Sequence, residues 1–356
     1  MNLAKDISWI KYGAVLISGI LLLVLFRTEI TGYVVNKGVD TDKRGDDSGV
    51  IFDNGSVDVV FCPSAECEHI FVDAFENADY TIYCAFYELD DEKLIDVLAD
   101  KSSEIDVRLV VDEENVEDAF FGEGIVLEKS SAFMHNKFCI VDNTFVITGS
   151  ANPTNNGFFK NNNNIIIIYS SYIVENYLNE FAELWHEDFG KGKTVSNAQI
   201  IIVNNNNTTI NTYFCPDDSC ENKVLNILEK TEKSIYFMTY SFTSPKMGNT
   251  LLAKGNNTGT DVYVEIKGVF ENLGSGSQYS QFSKLYDHGF DVRKDTNPSM
   301  MHHKVFIVDS RIVITGSYNP TDRGNKVNDE NILIIDDREI AQQYITEFNR
   351  IFDASV

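Results

Sequence analysis

Basic residues are scarce in this chain. Lysine and arginine together number 29, against 54 aspartates and glutamates, so the formal net charge is -25 and the pI is near 4.5. Non-specific affinity for DNA comes from cationic side chains that displace counterions. The balance therefore argues against a general nucleic-acid binder, although it is compatible with a locally basic cleft. With 43% hydrophobic residues, a chain of 356 residues is expected to fold as about two domains.

Long apolar runs are also rare. The run "YGAVLISGILLLVLF" (residues 12–26) is uncharged, but it is shorter than the roughly 20 residues of a typical membrane span. No A-x-A-like cleavage site follows Phe26, which favours an uncleaved anchor over a cleaved signal peptide or a buried helix. We therefore predict a signal anchor, a transmembrane helix, over residues 1–28, followed by a polar linker over residues 29–56.

The chain has only six cysteines. Four of them form short-spaced pairs, namely Cys62 with Cys67 and Cys215 with Cys220. Each pair is typical of a local disulfide in an oxidising compartment, but the two pairs could also meet as a four-thiolate zinc site or stay free. Cys84 and Cys139 lie in apolar segments and are expected to be small core residues. Together with the predicted anchor, the disulfide interpretation predicts a membrane-anchored protein whose folded part lies outside the cytoplasm.

An internal repeat organises the chain from Val57 onwards. Residues 61–89 match residues 214–242 without a gap, and strand-like segments alternate with helical ones in both copies. This alternation predicts an α/β architecture in which each copy forms a mixed β-sheet flanked by helices. We assign the copies to two halves, residues 57–195 and residues 196–356.

A polar motif occurs once in each half. It consists of a histidine, a lysine two residues later, an aspartate and a Gly-Ser-x-Asn, at the same spacing in both copies. Its members are His135, Lys137, Asp142, Gly149, Ser150 and Asn152 in the first copy, and His302, Lys304, Asp309, Gly316, Ser317 and Asn319 in the second. Because residues two apart on a strand share a face, each histidine should lie beside its lysine. Each aspartate follows at odd spacing in a turn, which indicates a scaffold role.

The duplicated motif resembles the HKD motif of the phospholipase D superfamily. The resemblance extends from about Val57 to the C-terminus. It implies two halves related by a pseudo-twofold axis, a single active site that needs no metal or other cofactor, and a phosphohistidine intermediate. It also implies that four side chains hold the non-bridging phosphate oxygens, namely Lys137, Lys304, Asn152 and Asn319.

The chemistry explains why the motif is doubled. Cleavage of a phosphodiester needs a nucleophile for phosphorus and an acid for the leaving oxygen. Histidine can serve as either, because its unperturbed pKa of about 6.5 allows both protonation states near neutrality. One imidazole cannot occupy both in-line positions, so we expect His135 and His302 to meet at one phosphorus atom.

The acidic residue that usually follows each motif in this superfamily is present only once. Glu330 lies 28 residues after His302, whereas Asn163 holds the same position after His135. If each group contacts the histidine of its own half, the carboxylate favours an imidazolium at His302 and the amide a neutral His135. This hypothesis makes His302 the acid and His135 the nucleophile; alternatively, Asn163 marks a chain of reduced activity.

The leading functional prediction is a metal-independent phosphodiesterase that cleaves or transfers a phospholipid phosphodiester. The predicted anchor would place the site at a bilayer, and one chain would form a monomeric catalytic unit. The runner-up is a phospholipase D-like endonuclease, because the motif segments resemble those of the compact endonucleases. A third hypothesis is a phosphate-binding scaffold protein without turnover. His303 should face away from the site.

Overall fold

Two mixed β-sheets form the body of the protein. The computed structural model describes residues 50–112, 124–128, 132–190, 200–203, 207–256 and 264–356, in which it has sixteen strands and ten helices. The strands are β1 (Val50–Phe52), β2 (Ser56–Cys62), β3 (Thr81–Phe86), β4 (Asp106–Asp112), β5 (Ile125–Glu128), β6 (Lys137–Val141), β7 (Phe145–Gly149), β8 (Asn163–Tyr169), β9 (Ile200–Val203), β10 (Thr208–Cys215), β11 (Ser234–Thr239), β12 (Glu265–Phe270), β13 (Asp291–Lys294), β14 (Lys304–Val308), β15 (Ile312–Gly316) and β16 (Glu330–Asp336).

The helices lie between and outside the sheets. They are α1 (Ala65–Glu76), α2 (Glu92–Ser102), α3 (Asn155–Phe159), α4 (Ser171–Trp185), α5 (Cys220–Glu229), α6 (Pro245–Asn256), α7 (Asn272–Ser275), α8 (Phe282–Asp287), α9 (Asp322–Lys326) and α10 (Arg338–Ala354). Side chains at helical spacing on α4 and α10 pack into a hydrophobic cluster with both sheets. Separate clusters join α1 and α2 to the first sheet, and α5, α6 and α8 to the second.

The two sheets repeat the same strand order, which confirms the α/β part of the fold prediction. The first runs β2-β8-β7-β6-β3-β4-β5, and the second contains β10-β16-β15-β14-β11-β12-β13. In both, the three strands at one edge are parallel and the other pairs of this shared order are antiparallel. The second sheet also carries β9 and β1 beyond β10. The apolar strand β1 therefore lies within the predicted linker, residues 29–56.

Reciprocal hydrogen bonds join the two halves. The amide nitrogen of Asn164, on β8, donates to Thr315 Oγ1 at 3.0 Å and to the hydroxyl of Tyr344 at 2.9 Å. Its counterpart Asn331, on β16, donates to Thr148 Oγ1 and Tyr177, both at 3.0 Å. All these side chains are buried. Since unpaired buried amides are costly, this exchange favours one register of the two sheets, in which the starts of β8 and β16 face the opposite half.

The transmembrane part of the fold prediction is wrong. In the part of the chain that the structure describes, no helix combines the length and apolar character needed to cross a membrane. Residues 1–28, to which we assigned the anchor, lie outside the described residues. The prediction of a membrane-anchored protein rested on that helix and is withdrawn with it. The predicted boundary between the halves falls at residues 195 and 196, also outside the described residues, so the limits of the halves stay a prediction.

Candidate active site

The two motif histidines line one cleft. Each precedes the strand that carries its lysine, and both rings border a cleft with a volume of about 1480 Å³. Lys137 Nζ donates to the carbonyl of His135 at 2.8 Å, and Lys304 does the same to His302 at 2.8 Å. The structure therefore brings together the histidines and lysines of both copies, which are all buried.

A tyrosine supports each motif. The ring of Tyr87, just after β3, meets His135 edge-on at 4.8 Å between centroids, and Lys137 lies 5.1 Å from its centre. Tyr240, just after β11, has the same relation to His302 and Lys304, again at 4.8 and 5.1 Å. Aromatic faces attract cations, so the rings help to hold the ammonium groups beside the motif histidines. Sequence analysis missed these tyrosines, although both occupy the same position in the repeat.

Each histidine takes its partner from the opposite half. Nδ1 of His135 lies 2.7 Å from Glu330 Oε2, at the start of β16. Nδ1 of His302 lies 3.0 Å from Asn163 Oδ1, at the start of β8. The predicted pairing of Glu330 with His302, and of Asn163 with His135, is therefore wrong. The reason is that β8 and β16 begin at the junction of the sheets, where each points its first side chain across.

The Gly-Ser-x-Asn segments hold these crossing partners. Ser150 Oγ donates to Asn163 Oδ1 at 3.0 Å, and Ser317 Oγ donates to Glu330 Oε2 at 2.7 Å. The glycines before the serines have positive φ angles of 139° and 140°. A Cβ at Gly149 would stand 2.2 Å from the carbonyl oxygen of Asn164. Only glycine fits there, so the glycine lets the serine reach the next strand.

The contacts of Asn163 determine the tautomer of His302. Asn163 Nδ2 donates to the carbonyl of Gly157 at 3.0 Å, and a carbonyl can only accept. Oδ1 therefore faces His302, whose Nδ1 must carry the hydrogen. The other ring nitrogen, Nε2, is left for chemistry in the cleft. The contact with Glu330 likewise occupies Nδ1 of His135.

Burial tunes the charges of the site. It lowers the pKa of both His135 and His302 well below 6.5, and the two lysine charges act in the same direction. Burial also lowers the pKa of Lys137 to about 8 and that of Lys304 well below 10.5. It raises the pKa of Glu330 to about 8. A phosphodiester anion entering the cleft would favour the charged forms of the lysines and histidines.

The last residue of each Gly-Ser-x-Asn also reaches the cleft. Asn152 and Asn319 both line it; Asn152 is buried and Asn319 is half-buried. Asn152 Nδ2 donates to Glu88 Oε2 at 2.7 Å. Glu88 was missed by sequence analysis. Its signal is a difference between the copies, because the chain has Glu88 after Tyr87 but Ser241 after Tyr240.

The motif aspartates lie away from this cleft. Asp142 accepts hydrogen bonds from the backbone of Asp79, Tyr80 and Thr81 at 2.7 to 2.9 Å. Asp309 makes the equivalent contacts with residues 232–234. Both aspartates begin tight turns in the left-handed region, with φ of 51° and 54°. They connect the β6-β7 and β14-β15 hairpins to the starts of β3 and β11, the strands that precede the tyrosines, which is a scaffold contact.

All six cysteines are paired. The structure has disulfides between Cys62 and Cys67 and between Cys215 and Cys220, so these thiols are not available to zinc. Cys84 and Cys139 form a third disulfide between β3 and β6, whereas we expected only small core residues. Both are fully buried in that core. Within the described ranges, no group of three or more His, Cys, Asp or Glu side chains is arranged to bind a metal ion.

Comparison with known proteins places the chain in a family. A family model described as "Cardiolipin synthase, PLD-like domain" matches residues 71–185 and 224–352. A phospholipase D of Rickettsia prowazekii is 31% identical over 179 residues, which is 49% of this chain and 80% of that relative. A mitochondrial cardiolipin hydrolase of Xenopus tropicalis is 32% identical over 141 residues, 39% of this chain and 65% of that relative.

A solved structure has a similar fold. The crystal structure of a phosphatidylserine synthase from Haemophilus influenzae matches with a TM-score of 0.61 at 14% identity, over 84% of this chain and 86% of the synthase. At that identity the likeness concerns the fold alone. The family model, by contrast, spans both halves and both motifs. The chain therefore belongs to the phospholipase D-like family, as its duplicated motif predicted.

Proposed function

We propose that this chain is a phosphodiesterase of the phospholipase D type that cleaves phospholipids through a phosphohistidine. The observation that carries the proposal is the single cleft lined by His135 and His302, each held at Nδ1 by a side chain of the opposite half. This arrangement leaves two Nε2 atoms for one phosphorus. The names of the relatives, a phospholipase D and a cardiolipin hydrolase, support a phospholipid substrate.

In the first step, His135 Nε2 forms a bond to phosphorus and the phosphorus-oxygen bond of the leaving alcohol breaks. The Nε2 proton of His302 passes to that alcohol. The ring of His135 gains positive charge as the bond forms, and the Glu330 carboxylate at Nδ1 stabilises that charge. The ring of His302 loses its charge, so a neutral partner such as Asn163 is better suited to it than a carboxylate, which would hold the proton back.

In the second step, water attacks the phosphorus and gives its proton to His302 Nε2. The bond between phosphorus and His135 breaks, and phosphatidate is released. A second alcohol in place of water would complete a transfer instead. Lys137, Lys304, Asn152 and Asn319 hold the non-bridging oxygens throughout, since ammonium and amide groups are donors suited to an anion. One chain is a complete catalytic unit, because it supplies both histidines and both partners.

Three substrates test the proposal. The purified chain, in excess chelator, is incubated with phosphatidylcholine vesicles, single-stranded DNA and bis-p-nitrophenyl phosphate. We expect release of phosphatidate and of p-nitrophenol, and no cleavage of DNA. The His135→Asn and His302→Asn variants are the controls for contaminating activity. Cleavage of DNA without lipid turnover would instead support the endonuclease hypothesis, and silence on all three substrates would support a scaffold protein.

A further inference from the structure

One acidic side chain breaks the symmetry of the cleft. Glu88 follows Tyr87 at the end of β3 and lines the cleft, as does its counterpart Ser241 after Tyr240. The tyrosines, histidines and lysines of the two copies superpose in type and in contact distance. The replacement of serine by glutamate places a carboxylate in the first half where the second half has a hydroxyl.

This carboxylate is half-buried and contacts a residue of the motif. It accepts a hydrogen bond of 2.7 Å from Asn152, a buried side chain of the motif. Burial lowers the pKa of Lys137 to about 8, and the charge of Glu88 is among those that oppose this shift. The charge of Glu88 likewise raises the pKa of Lys304, which burial lowers. Glu88 therefore belongs to the same electrostatic environment as the two motif lysines.

Rim lysines have acidic partners of their own. Lys246 lies 2.8 Å from Glu221, and Lys326 forms an ion pair with Asp322. All four residues border the cleft, and each pair cancels its own charge there. A substrate with several negative charges would meet Glu88 without compensation from these lysines. A diester that carries a positive group beside its phosphate would place that group against the carboxylate instead.

We propose that Glu88 is a specificity-determining residue that selects phosphodiesters with an ammonium group next to the scissile phosphate, such as zwitterionic ethanolamine phospholipids. The inference rests on the proposed function and narrows its substrate class. Oε2 of Glu88 accepts the hydrogen bond from Asn152, which fixes the orientation of the carboxylate. The other carboxylate oxygen contacts the ammonium group on the alcohol portion of the substrate. Anionic diesters, including polynucleotides, are disfavoured by the same charge.

The test compares two soluble substrates that differ in the head group. Dihexanoyl phosphatidylethanolamine and dihexanoyl phosphatidylglycerol are used as monomers in solution, so that no charged lipid surface contributes. For wild type we expect a higher kcat/KM on the ethanolamine diester. Glu88→Gln keeps an oxygen for Asn152 but removes the charge, and should lower the ratio of the two kcat/KM values about tenfold, the usual effect of losing one charged hydrogen bond.

Two further variants complete the design. Glu88→Ser copies Ser241 and should lower the ratio to a similar extent. Glu104→Gln changes an exposed acid outside the cleft, whose side chain is 67% accessible, and should leave the ratio unchanged. A ratio that is the same in wild type, Glu88→Gln and Glu88→Ser overturns the inference. So does a change in Glu88→Ser alone, because that result would mean that Glu88 acts only by positioning Asn152.

Bis-p-nitrophenyl phosphate separates this inference from the proposed function. If wild type hydrolyses the aryl diester but Glu88 variants do not alter the head-group ratio, only the specificity inference fails. If wild type hydrolyses none of the three diesters, the proposed function fails and the inference falls with it. Thermal unfolding of each variant confirms that the compared proteins are folded.

Discussion

The carboxylate of Glu330 lies 2.7 Å from Nδ1 of His135, in the opposite half of the molecule. From the sequence we expected this carboxylate beside His302, where it would have favoured a protonated acid. The observed pairing supports the same roles, His135 as the nucleophile and His302 as the acid, for a different reason. A carboxylate favours the histidine whose charge rises during the reaction, which is the nucleophile, whereas an amide leaves the proton of His302 free to depart.

The two histidines should respond differently to the leaving group. p-Nitrophenolate leaves without protonation, so a diester with this group needs a nucleophile but no acid. We expect His302→Gln to retain a rapid first release of p-nitrophenol and to accumulate a phosphorylated His135. His135→Gln should show no such release. The measurement is a stopped-flow burst followed by mass spectrometry of the trapped protein.

The control is an alkyl diester, on which both variants should be inactive because an alkoxide requires a proton. An adduct found on His302 in the His135→Gln protein, with a burst, would reverse the two roles.

Glu330 should shape the pH dependence of the reaction. Burial raises the pKa of this carboxyl to about 8, and only its ionised form can stabilise a positive His135. On bis-p-nitrophenyl phosphate, whose leaving group needs no proton from His302, we therefore expect kcat/KM to rise with pH towards about 8. Above that, burial has lowered the pKa of Lys137 to about 8, so the loss of its charge should make the profile fall and give it a bell shape.

Glu330→Gln tests this assignment. The variant should lose about 100-fold or more in kcat, comparable to the removal of a group that stabilises transition-state charge, and it should lack the rising limb. Asn163→Gln is the matched control at the equivalent position, because it keeps an amide beside His302. A rising limb that persists unchanged in Glu330→Gln would show that another group titrates there.

The sequence was sufficient for the motif and insufficient for its contacts. Spacing placed His135 beside Lys137 and Asp142 in a turn, because those relations are local to one hairpin. The partners of the histidines depend on how two sheets meet, and residue spacing within one half carries no information about the other. The disulfide between Cys84 and Cys139 likewise needed the register of β3 against β6. The apolar run at residues 12–26 led to the transmembrane prediction, which is wrong.

The active site should not assemble between chains. Both histidines and the reciprocal bonds of Asn164 and Asn331 belong to one chain. A mixture of His135→Asn and His302→Asn proteins, unfolded together and refolded, should therefore be inactive on phosphatidylcholine. The comparison is wild type taken through the same refolding. Recovery of about a quarter of the wild-type activity would mean that two chains exchange halves and share sites.

The disulfides should differ in their contribution to stability. Cys84 and Cys139 are 55 residues apart, whereas Cys62 and Cys67 are 5 apart. A crosslink that closes a longer loop removes more entropy from the unfolded chain, about 4 kcal/mol for the long loop and about 2 kcal/mol for the short one. Urea unfolding of the two double alanine variants should show this order. When the disulfides of wild type are reduced before unfolding, the difference in free energy of unfolding between wild type and each variant should become smaller. Equal losses of stability in the two double alanine variants would contradict the loop-length argument.

Two glutamates at equivalent positions of α4 and α10 should have opposite effects on stability as the pH changes. Ion pairs with Arg350, at 2.6 Å, and with His303, at 3.3 Å, act on Glu347. Burial alone would raise the pKa of Glu347, but the contacts with Arg350 and His303 outweigh it and lower the pKa to about 2. For Glu180, burial raises the pKa well above 4.5, and the charges of neighbouring acids add to this. Asn136, which donates a hydrogen bond to Glu180, holds the position in the first half that His303 holds in the second.

The sign follows from proton linkage. Glu347 binds its proton more weakly in the folded state, so it stabilises the fold above pH 4.5, by about 3 kcal/mol, and this contribution is lost as the pH falls to about 2. Glu180 binds its proton more tightly when folded, so its cost grows as the pH rises above 4.5. Urea unfolding from pH 3 to pH 7 should show that Glu347→Gln destabilises mainly at the upper end, whereas Glu180→Gln stabilises there. Parallel pH profiles for the two variants would mean that the carboxyl of Glu180 is ionised in the folded protein. His303, which precedes β14, and Arg350, on α10, would then not explain a difference between the two glutamates.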